Sequence, residues 1–132
     1  PNCPQCPMVS TCYANQHSLT HKLPEANKRK PLPTKQATFI IYQNQNREVL
    51  LEKRPDNGVW GGLWLLPQQQ TAAKAFRDFR HTFSHFHLEM RFVKSSKPPL
   101  ELKSNQRWLS KGQLSTVGLP KPIANLLSEF FA

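Results

Sequence analysis

The sequence predicts an α+β fold, in which several strands and two helices enclose one modest hydrophobic core. Three observations lead to this prediction. β-Branched and alternating apolar runs recur from residue 37 to 110, and an amphipathic helical pattern closes the chain. The first 36 residues differ, because they hold six of the twelve prolines and no long hydrophobic period. We therefore predict a cysteine segment at 1–14, an extended basic, proline-rich linker at 15–36 and a compact domain at 37–132.

The predicted strands follow the β-branched and aromatic runs. The run ATFIIYQ, residues 37–43, predicts a first strand, and REVLLEKR, residues 47–54, predicts a second strand after the turn NQN. Because only a short turn separates them, the two strands are expected to pair as a hairpin. Further strands are predicted at 63–67, 84–94 and 107–110, where apolar residues are continuous or alternate.

Two segments have helical periodicity. Residues 71–79 predict a short helix with Ala73, Phe76 and Phe79 facing inward. Residues 121–131 predict an amphipathic helix that closes the chain, with a proline in its first turn. Its predicted apolar stripe comprises Ile123, Leu126, Leu127 and Phe130.

Composition limits the classes of function. The chain has 132 residues, of which 38% are hydrophobic, and 18 basic against 8 acidic residues give a net charge of +10. This surplus attracts polyanions, and nucleic acid is the commonest of them. No apolar run approaches the length of a membrane span and no signal-peptide pattern opens the chain, so we expect neither a membrane location nor secretion.

All three cysteines lie near the start of the chain. Cys3, Cys6 and Cys12 have the spacing C-x2-C-x5-C, which indicates a metal or cluster motif from a reducing compartment rather than a disulfide framework. Zinc could take His17 as a fourth ligand, whereas an iron–sulfur cluster would need one more cysteine upstream. Three free thiols are the remaining interpretation.

The segment RPDNGVWGGLWLLPQ, residues 54–68, predicts a glycine-rich loop followed by a short strand. Its three glycines permit positive φ and a close approach of the backbone. Trp60 and Trp64 are expected to pin this tight turn by packing.

The segment RHTFSHFHLEMRF, residues 80–92, holds three histidines, at positions 81, 85 and 87. A zinc site is one interpretation, although the expected spacing along a strand is wide for metal ligands. Structural histidines bonded to the backbone, above all His87, are a second. In the third, TFSH forms a loop tip where Ser84 bonds a base edge while Phe83 and His85 pack or stack.

Residues 54–68 resemble the start of a Nudix (MutT-like) domain, which implies a mixed β-sheet flanked by helices. Nudix hydrolases continue into a helix whose glutamates hold Mg²⁺ at a pyrophosphate. Here the segment QQQTAAKAFRDFR has Asp78 as its only acid, so the scaffold is expected without the hydrolase chemistry.

The cysteine spacing is similar to the last three ligands of the C-x6-C-x2-C-x5-C loop in the endonuclease III and adenine glycosylase superfamily. With this cysteine spacing and the segments RPDNGVWGGLWLLPQ and FRHTFSHFHLEMRF, essentially the whole chain resembles the C-terminal part of the A/G-specific adenine DNA glycosylase (MutY) family. The resemblance implies that Phe83, Ser84 and His85 read 8-oxoguanine, with Ser84 as its hydrogen-bonding partner. The chain departs from many relatives between Pro67 and Phe79, where the segment is short.

The resemblance also implies three of the four ligands of a [4Fe–4S] cluster, at Cys3, Cys6 and Cys12. The cluster belongs to the full-length protein and is expected to be absent or incomplete in this fragment. Lys28, Arg29 and Lys30 of the linker are candidate phosphate contacts.

The function implied by the resemblance is base excision repair of double-stranded DNA containing A:8-oxoguanine or A:G mispairs. The parent would be a monofunctional glycosylase whose catalytic domain precedes residue 1, so the fragment alone is expected to be non-catalytic. A bacterial, nucleoid-associated cytoplasmic location and no protein partner are expected. A Nudix-type nucleotide pyrophosphohydrolase and a small zinc-binding interaction module remain alternatives.

Overall fold

The computed structural model describes residues 1–27 and 29–132, which divide into two units, Pro1–Pro31 and Leu32–Ala132. Of the candidate phosphate contacts, Lys28 lies outside the described residues. The first unit contains a 3₁₀ turn at Cys3–Gln5 and the short helix α1 at Tyr13–Gln16. Hydrogen bonds from polar side chains stabilise this unit: the side-chain amide of Gln16, for example, donates to the Ser10 carbonyl at 2.6 Å. This unit is therefore held by local hydrogen bonds, and none of the residues in its two helical elements is buried.

The second unit contains the strands and the closing helix. The strands are β1 (Thr34–Tyr42), β2 (Val49–Lys53), β3 (Trp64–Leu65), β4 (Arg77–Thr82), β5 (His87–Ser95) and β6 (Gln106–Leu109). After β6 a 3₁₀ turn spans Lys111–Thr116, and α2 spans Lys121–Phe130.

The described strands form two three-stranded sheets, in the orders β1-β5-β4 and β3-β2-β6. β1 runs parallel to β5 from the pair Thr34–His87 to the pair Tyr42–Ser95, and β4 is antiparallel to β5. The predicted hairpin of the first two strands is wrong. Only the bridge Gln43–Val49 joins them, because β1 leaves for the parallel ladder and β2 pairs with β3 and β6.

The hydrophobic core unites both sheets with α2. Ile123 and Leu127 are fully buried and Leu126 is nearly so, which confirms the predicted stripe, and Phe130 packs against the same cluster. Pro122 lies in the first turn of the helix, where a missing N–H costs no hydrogen bond. The strands contribute Phe39, Ile41, Val49, Leu51, Leu65, Met90, Phe92 and Leu109.

The predicted helix at 71–79 is wrong. Residues 71–76 form no helix, and Arg77–Thr82 is strand β4. The N–H of Phe76 donates to the carbonyl of Phe92 at 2.7 Å, so pairing with β5 overrides a weak local helical preference. The side chains expected inward point outward, since Ala73 is exposed and Phe76 and Phe79 are 41% and 46% exposed.

Helices in the described part of the chain are short. None of them is long and apolar enough to cross a membrane.

Candidate nucleic-acid interface

The candidate interface is the turn between β4 and β5, residues Phe83–Phe86, here called the recognition turn. The last pair of the ladder is Thr82–His87, and the N–H of Phe83 donates to the carbonyl of Phe86 at 2.9 Å. Ser84 and His85 therefore form the tip, and both are exposed. The long strand predicted from residue 84 begins only at His87, which leaves the serine on a turn.

Packed aromatic rings form the base of the recognition turn. The ring of Phe83 lies 4.6 Å from that of Phe86, 4.6 Å from that of His81 and 5.4 Å from that of Trp60. Phe86 is only 2% exposed and belongs to the core cluster. The tip is thus held by a residue of the hydrophobic core, Phe86, and is not part of a free loop.

At the tip, the Ser84 Oγ lies 3.3 Å from Nδ1 of His85. A hydroxyl has one donor and two acceptor positions, so this contact leaves hydrogen-bonding capacity for a ligand. The exposed His85 ring lies 4.7 Å from Phe86, edge to face. The arrangement presents one hydroxyl and one aromatic ring to solvent, which suits a base edge and a base face.

The glycine-rich loop, residues 55–62, packs against the recognition turn through Trp60. Trp60 has φ of +56°, and Gly62 has φ of +73° with its N–H donating to the Pro55 carbonyl at 3.0 Å. A Cβ on Gly61 would lie 2.5 Å from the carbonyl oxygen of Asp56. As predicted, tryptophan packing pins this loop, because Trp60 and Trp64 both pack against the core.

The three histidines lie on three different elements. His81 is on β4, His85 is at the tip, and His87 opens β5 with Nδ1 2.9 Å from the Thr82 hydroxyl. The backbone N–H of His87 donates to the Pro33 carbonyl at 2.9 Å, so the described partner of the His87 side chain is a hydroxyl and not the backbone group that was expected. Within residues 1–27 and 29–132, no three metal-ligating side chains come together, so the histidine zinc site is wrong.

Two ion pairs join β4 to β5 on the polar face of the β1-β5-β4 sheet. Glu89 pairs with Arg80 and accepts from the Gln36 amide at 3.4 Å. The guanidinium of Arg80, followed by the Gln36 amide, holds the pKa of the Glu89 carboxyl below its usual value. Asp78 lies 3.8 Å from Nε of Arg91. The only acid of the segment that resembles a Nudix helix is therefore engaged in a strand-to-strand pair.

A cavity of about 180 Å³ lies beside the recognition turn. Nε of Arg54 is buried and is the one such side-chain atom without a partner among the described residues. Lys35 adds a second positive charge, with Nζ 4.6 Å from the centre of the Phe86 ring. Sequence reasoning gave neither residue a role: Arg54 opens the glycine-rich segment 54–68 but was not singled out, and Lys35 lies outside every motif.

The cysteine segment does not form a metal site in the described structure. Cys6 is exposed, Cys3 and Cys12 are half-buried, and all three are free thiols. His17 instead stacks on Tyr13 at 4.0 Å, with its Nδ1 3.0 Å from the Tyr13 carbonyl oxygen. The three cysteines as arranged here do not fit a cluster or zinc by themselves, because no group of three or more ligands gathers in the described part of this unit.

Comparison with known proteins identifies the family of the chain and two similar proteins. The family model of the NUDIX domain matches residues 37–129. The chain is 25% identical over 154 residues to the adenine DNA glycosylase of Buchnera aphidicola subsp. Schizaphis graminum, covering 98% of this chain and 43% of that protein. It is 25% identical over 149 residues to the adenine DNA glycosylase of the subspecies Baizongia pistaciae, covering 98% and 42%. The chain thus spans less than half the length of these relatives.

A solved structure has the same fold. The MutT protein from Methanosarcina mazei superposes with a TM-score of 0.62 at 14% identity, covering 77% of this chain and 96% of that chain. The family match and this superposition confirm the predicted α+β architecture. The chain belongs to the NUDIX domain family.

Proposed function

We propose that this chain is the recognition part of an A/G-specific adenine DNA glycosylase and reads 8-oxoguanine opposite adenine in double-stranded DNA. The observation that carries the proposal is the exposed Ser84–His85 tip on a buried aromatic base. The similarity to two adenine DNA glycosylases over 98% of the chain supports it.

The chemistry of the oxidised base fits a hydroxyl reader. Guanine presents N7 as an acceptor in the major groove. Oxidation at C8 places a hydrogen on N7 and a carbonyl oxygen on C8, so the edge exposes a donor beside an acceptor. The Ser84 hydroxyl can accept from the first or donate to the second. Phe83 and His85 flank the serine. The exposed His85 ring offers a face for stacking, and the half-buried Phe83 packs against Phe86 and Trp60.

Binding strength and specificity come from different parts of the chain. The positive surplus attracts the phosphate backbone, with Lys28, Arg29 and Lys30 of the linker as contacts. Such contacts position a protein on the duplex without reading its sequence. Discrimination between 8-oxoguanine and guanine then rests on the recognition turn.

The glycosylase reaction belongs to the remainder of the parent protein. Base-excising enzymes flip their target nucleotide into a pocket, and we assign no catalytic residue of that pocket to this chain. Cys3, Cys6 and Cys12 would complete a [4Fe–4S] cluster only with a fourth cysteine from outside this chain. The protein would act in base excision repair in the bacterial cytoplasm.

The test is a comparison of duplexes that differ at one base. Fluorescence anisotropy would measure the affinity of the 132-residue chain for duplexes carrying A:8-oxoguanine, A:G or A:T at one central pair, at low salt. We expect the A:8-oxoguanine duplex to bind most tightly. Equal affinity for the three duplexes would refute the reading role while leaving the general attraction to DNA intact. Adenine excision by the chain alone would show that it contains catalytic groups.

A further inference from the structure

We propose that Trp60 is a positioning residue for the recognition turn: it holds Phe83 and His81 so that the Ser84 hydroxyl points at the base. This inference rests on the proposed function, because it names what sets the geometry of the same site. Trp60 itself need not touch DNA.

Three rings pack around one another at this point. Trp60 lies 5.4 Å from Phe83 and 5.7 Å from His81, and His81 meets Phe83 edge to face at 4.6 Å. Phe83 is the residue directly before Ser84. Fixing the Phe83 ring therefore restricts the backbone next to the serine, whose N–H at Phe83 bonds to the Phe86 carbonyl.

The glycine-rich loop fixes Trp60 in turn. The left-handed φ of Trp60 is unusual for a bulky side chain and persists only where the surroundings impose it. The loop imposes it through two backbone hydrogen bonds, from the Gly61 N–H to the Gly58 carbonyl at 3.2 Å and from the Gly62 N–H to the Pro55 carbonyl at 3.0 Å. The loop and the recognition turn are far apart in sequence and meet at this ring.

The tip needs such a support because its own hydrogen bonds are few. The described bonds within the turn are the 2.9 Å bond from Phe83 to Phe86 and the 3.3 Å contact between Ser84 and His85. When the residues that support a binding site are removed, the site can become about 1 Å too loose and loses much of its discrimination. The half-buried Trp60 and the buried Phe86 both pack against the Phe83 ring and supply that support.

The test compares Trp60→Leu with Trp64→Leu. Trp64 is a matched control, because it is also half-buried and packed against the core, while its ring faces Arg107 at 5.6 Å. We expect Trp60→Leu to lower the preference for the A:8-oxoguanine duplex over the A:G duplex by about fivefold or more. Trp64→Leu should change this preference by less than about twofold.

A double-mutant cycle separates positioning from direct contact. If Trp60 acts through the serine, Trp60→Leu costs no further preference in a Ser84→Ala chain. An equal loss in both backgrounds would overturn the positioning role, since Trp60 would then contribute independently of Ser84. Equal weakening of binding to both duplexes by a folded Trp60→Leu chain would also overturn it, because Trp60 would then support binding in general and not the reading of the base.

Hydrogen exchange tests the same geometry without DNA. The amide of Phe83, which is bonded to the Phe86 carbonyl, should exchange about tenfold faster in Trp60→Leu than in the wild-type chain. Its exchange rate in Trp64→Leu should equal that of the wild type. Unchanged exchange in Trp60→Leu would refute the inference whatever the DNA data show.

If the wild-type chain does not distinguish the duplexes, the proposed function fails and exchange alone decides the role of Trp60. Trp60→Phe keeps an aromatic ring and replaces Trp60→Leu if that chain does not fold.

Discussion

The backbone N–H of Phe83 donates to the carbonyl of Phe86 at 2.9 Å, and the rings of the same two residues lie 4.6 Å apart at 23°. One pair of residues therefore closes the turn with both its backbone and its side chains. Because Phe86 is buried, the closure connects the exposed serine directly to the hydrophobic core. The stability of the core and the precision of the tip are linked through this pair.

Removing the Ser84 hydroxyl should reduce discrimination without a general loss of binding. We expect Ser84→Ala to cost about 1–3 kcal/mol of preference for 8-oxoguanine over guanine, the range of a single specific base contact. Affinities for the two duplexes, measured by anisotropy, give this difference. Ser104→Ala is the control, because Ser104 is an exposed serine in the turn before β6. Equal weakening of both duplexes by Ser84→Ala would remove this residue as the reader.

Truncating the buried anchor of the turn should destabilise the domain. Phe86 is 2% exposed, so Phe86→Ala should lower the free energy of unfolding by about 3–5 kcal/mol. Phe79→Ala, at a phenylalanine that is 46% exposed on the neighbouring strand, should cost far less. Urea denaturation of the three chains measures both differences. Similar losses at the two positions would contradict the assignment of Phe86 to the core.

The close contact at Gly61 predicts a strong preference for glycine. A Cβ there would lie 2.5 Å from the Asp56 carbonyl oxygen and 2.7 Å from its carbon, so the backbone must shift. We expect Gly61→Ala to lower the free energy of unfolding by about 1–3 kcal/mol. Gly112→Ala is a matched control, since nothing lies within 4 Å of a Cβ at that position. Thermal unfolding that ranks the two variants equally would refute this account of the loop.

The Glu89 carboxyl should contribute stability that depends on pH. The hydrogen bond from Arg80 is the chief cause that lowers the pKa of this carboxyl in the folded chain below 4.5. Its contribution to the free energy of unfolding is therefore complete at pH values above 4.5. It is lost as the pH falls through the lowered pKa, because protonation breaks the ion pair. Glu89→Gln should therefore melt slightly below wild type at neutral pH and together with it in strong acid. Thermal melts across this range test the sign, and Glu101→Gln, in the exposed loop before β6, serves as control.

Salt should weaken DNA binding steeply if the linker cations contact phosphates. Each phosphate contact adds about 0.9 to the slope of log affinity against log salt, so replacing Lys28, Arg29 and Lys30 by alanine should reduce the slope by up to about 3. Both duplexes should be affected equally, because phosphate contacts carry no base information. Titrations at several salt concentrations measure the slope. A change in preference between the duplexes would place these residues at a base instead.

Features that depend on local sequence were predictable. The closing helix follows from its own apolar stripe. The tip does not, because the alternation predicted a strand from residue 84 and only the family resemblance favoured a loop tip there. The helix at 71–79 was predicted from its periodicity and is wrong, because Phe76 bonds to Phe92 across the sheet. The expected hairpin failed for the same reason, since β1 pairs with β5, about fifty residues away.

The support of the tip could not be predicted from a motif. Trp60 and Phe83 are separated by more than twenty residues and belong to a loop and a turn. Their contact depends on how the loop between β2 and β3 returns over the end of β4. Sequence periodicity describes which side of one element is apolar and carries no information on which loop meets which turn.

The order β1-β5-β4 leaves β4 at the end of its sheet among the described strands. Such a margin has unpaired N–H and C=O groups and can recruit a strand from another molecule. Charged side chains at Arg77, Asp78 and Arg80 occupy this margin and make docking of a second copy costly. We therefore expect the strand that carries the recognition turn to resist pairing with a second copy at high protein concentration.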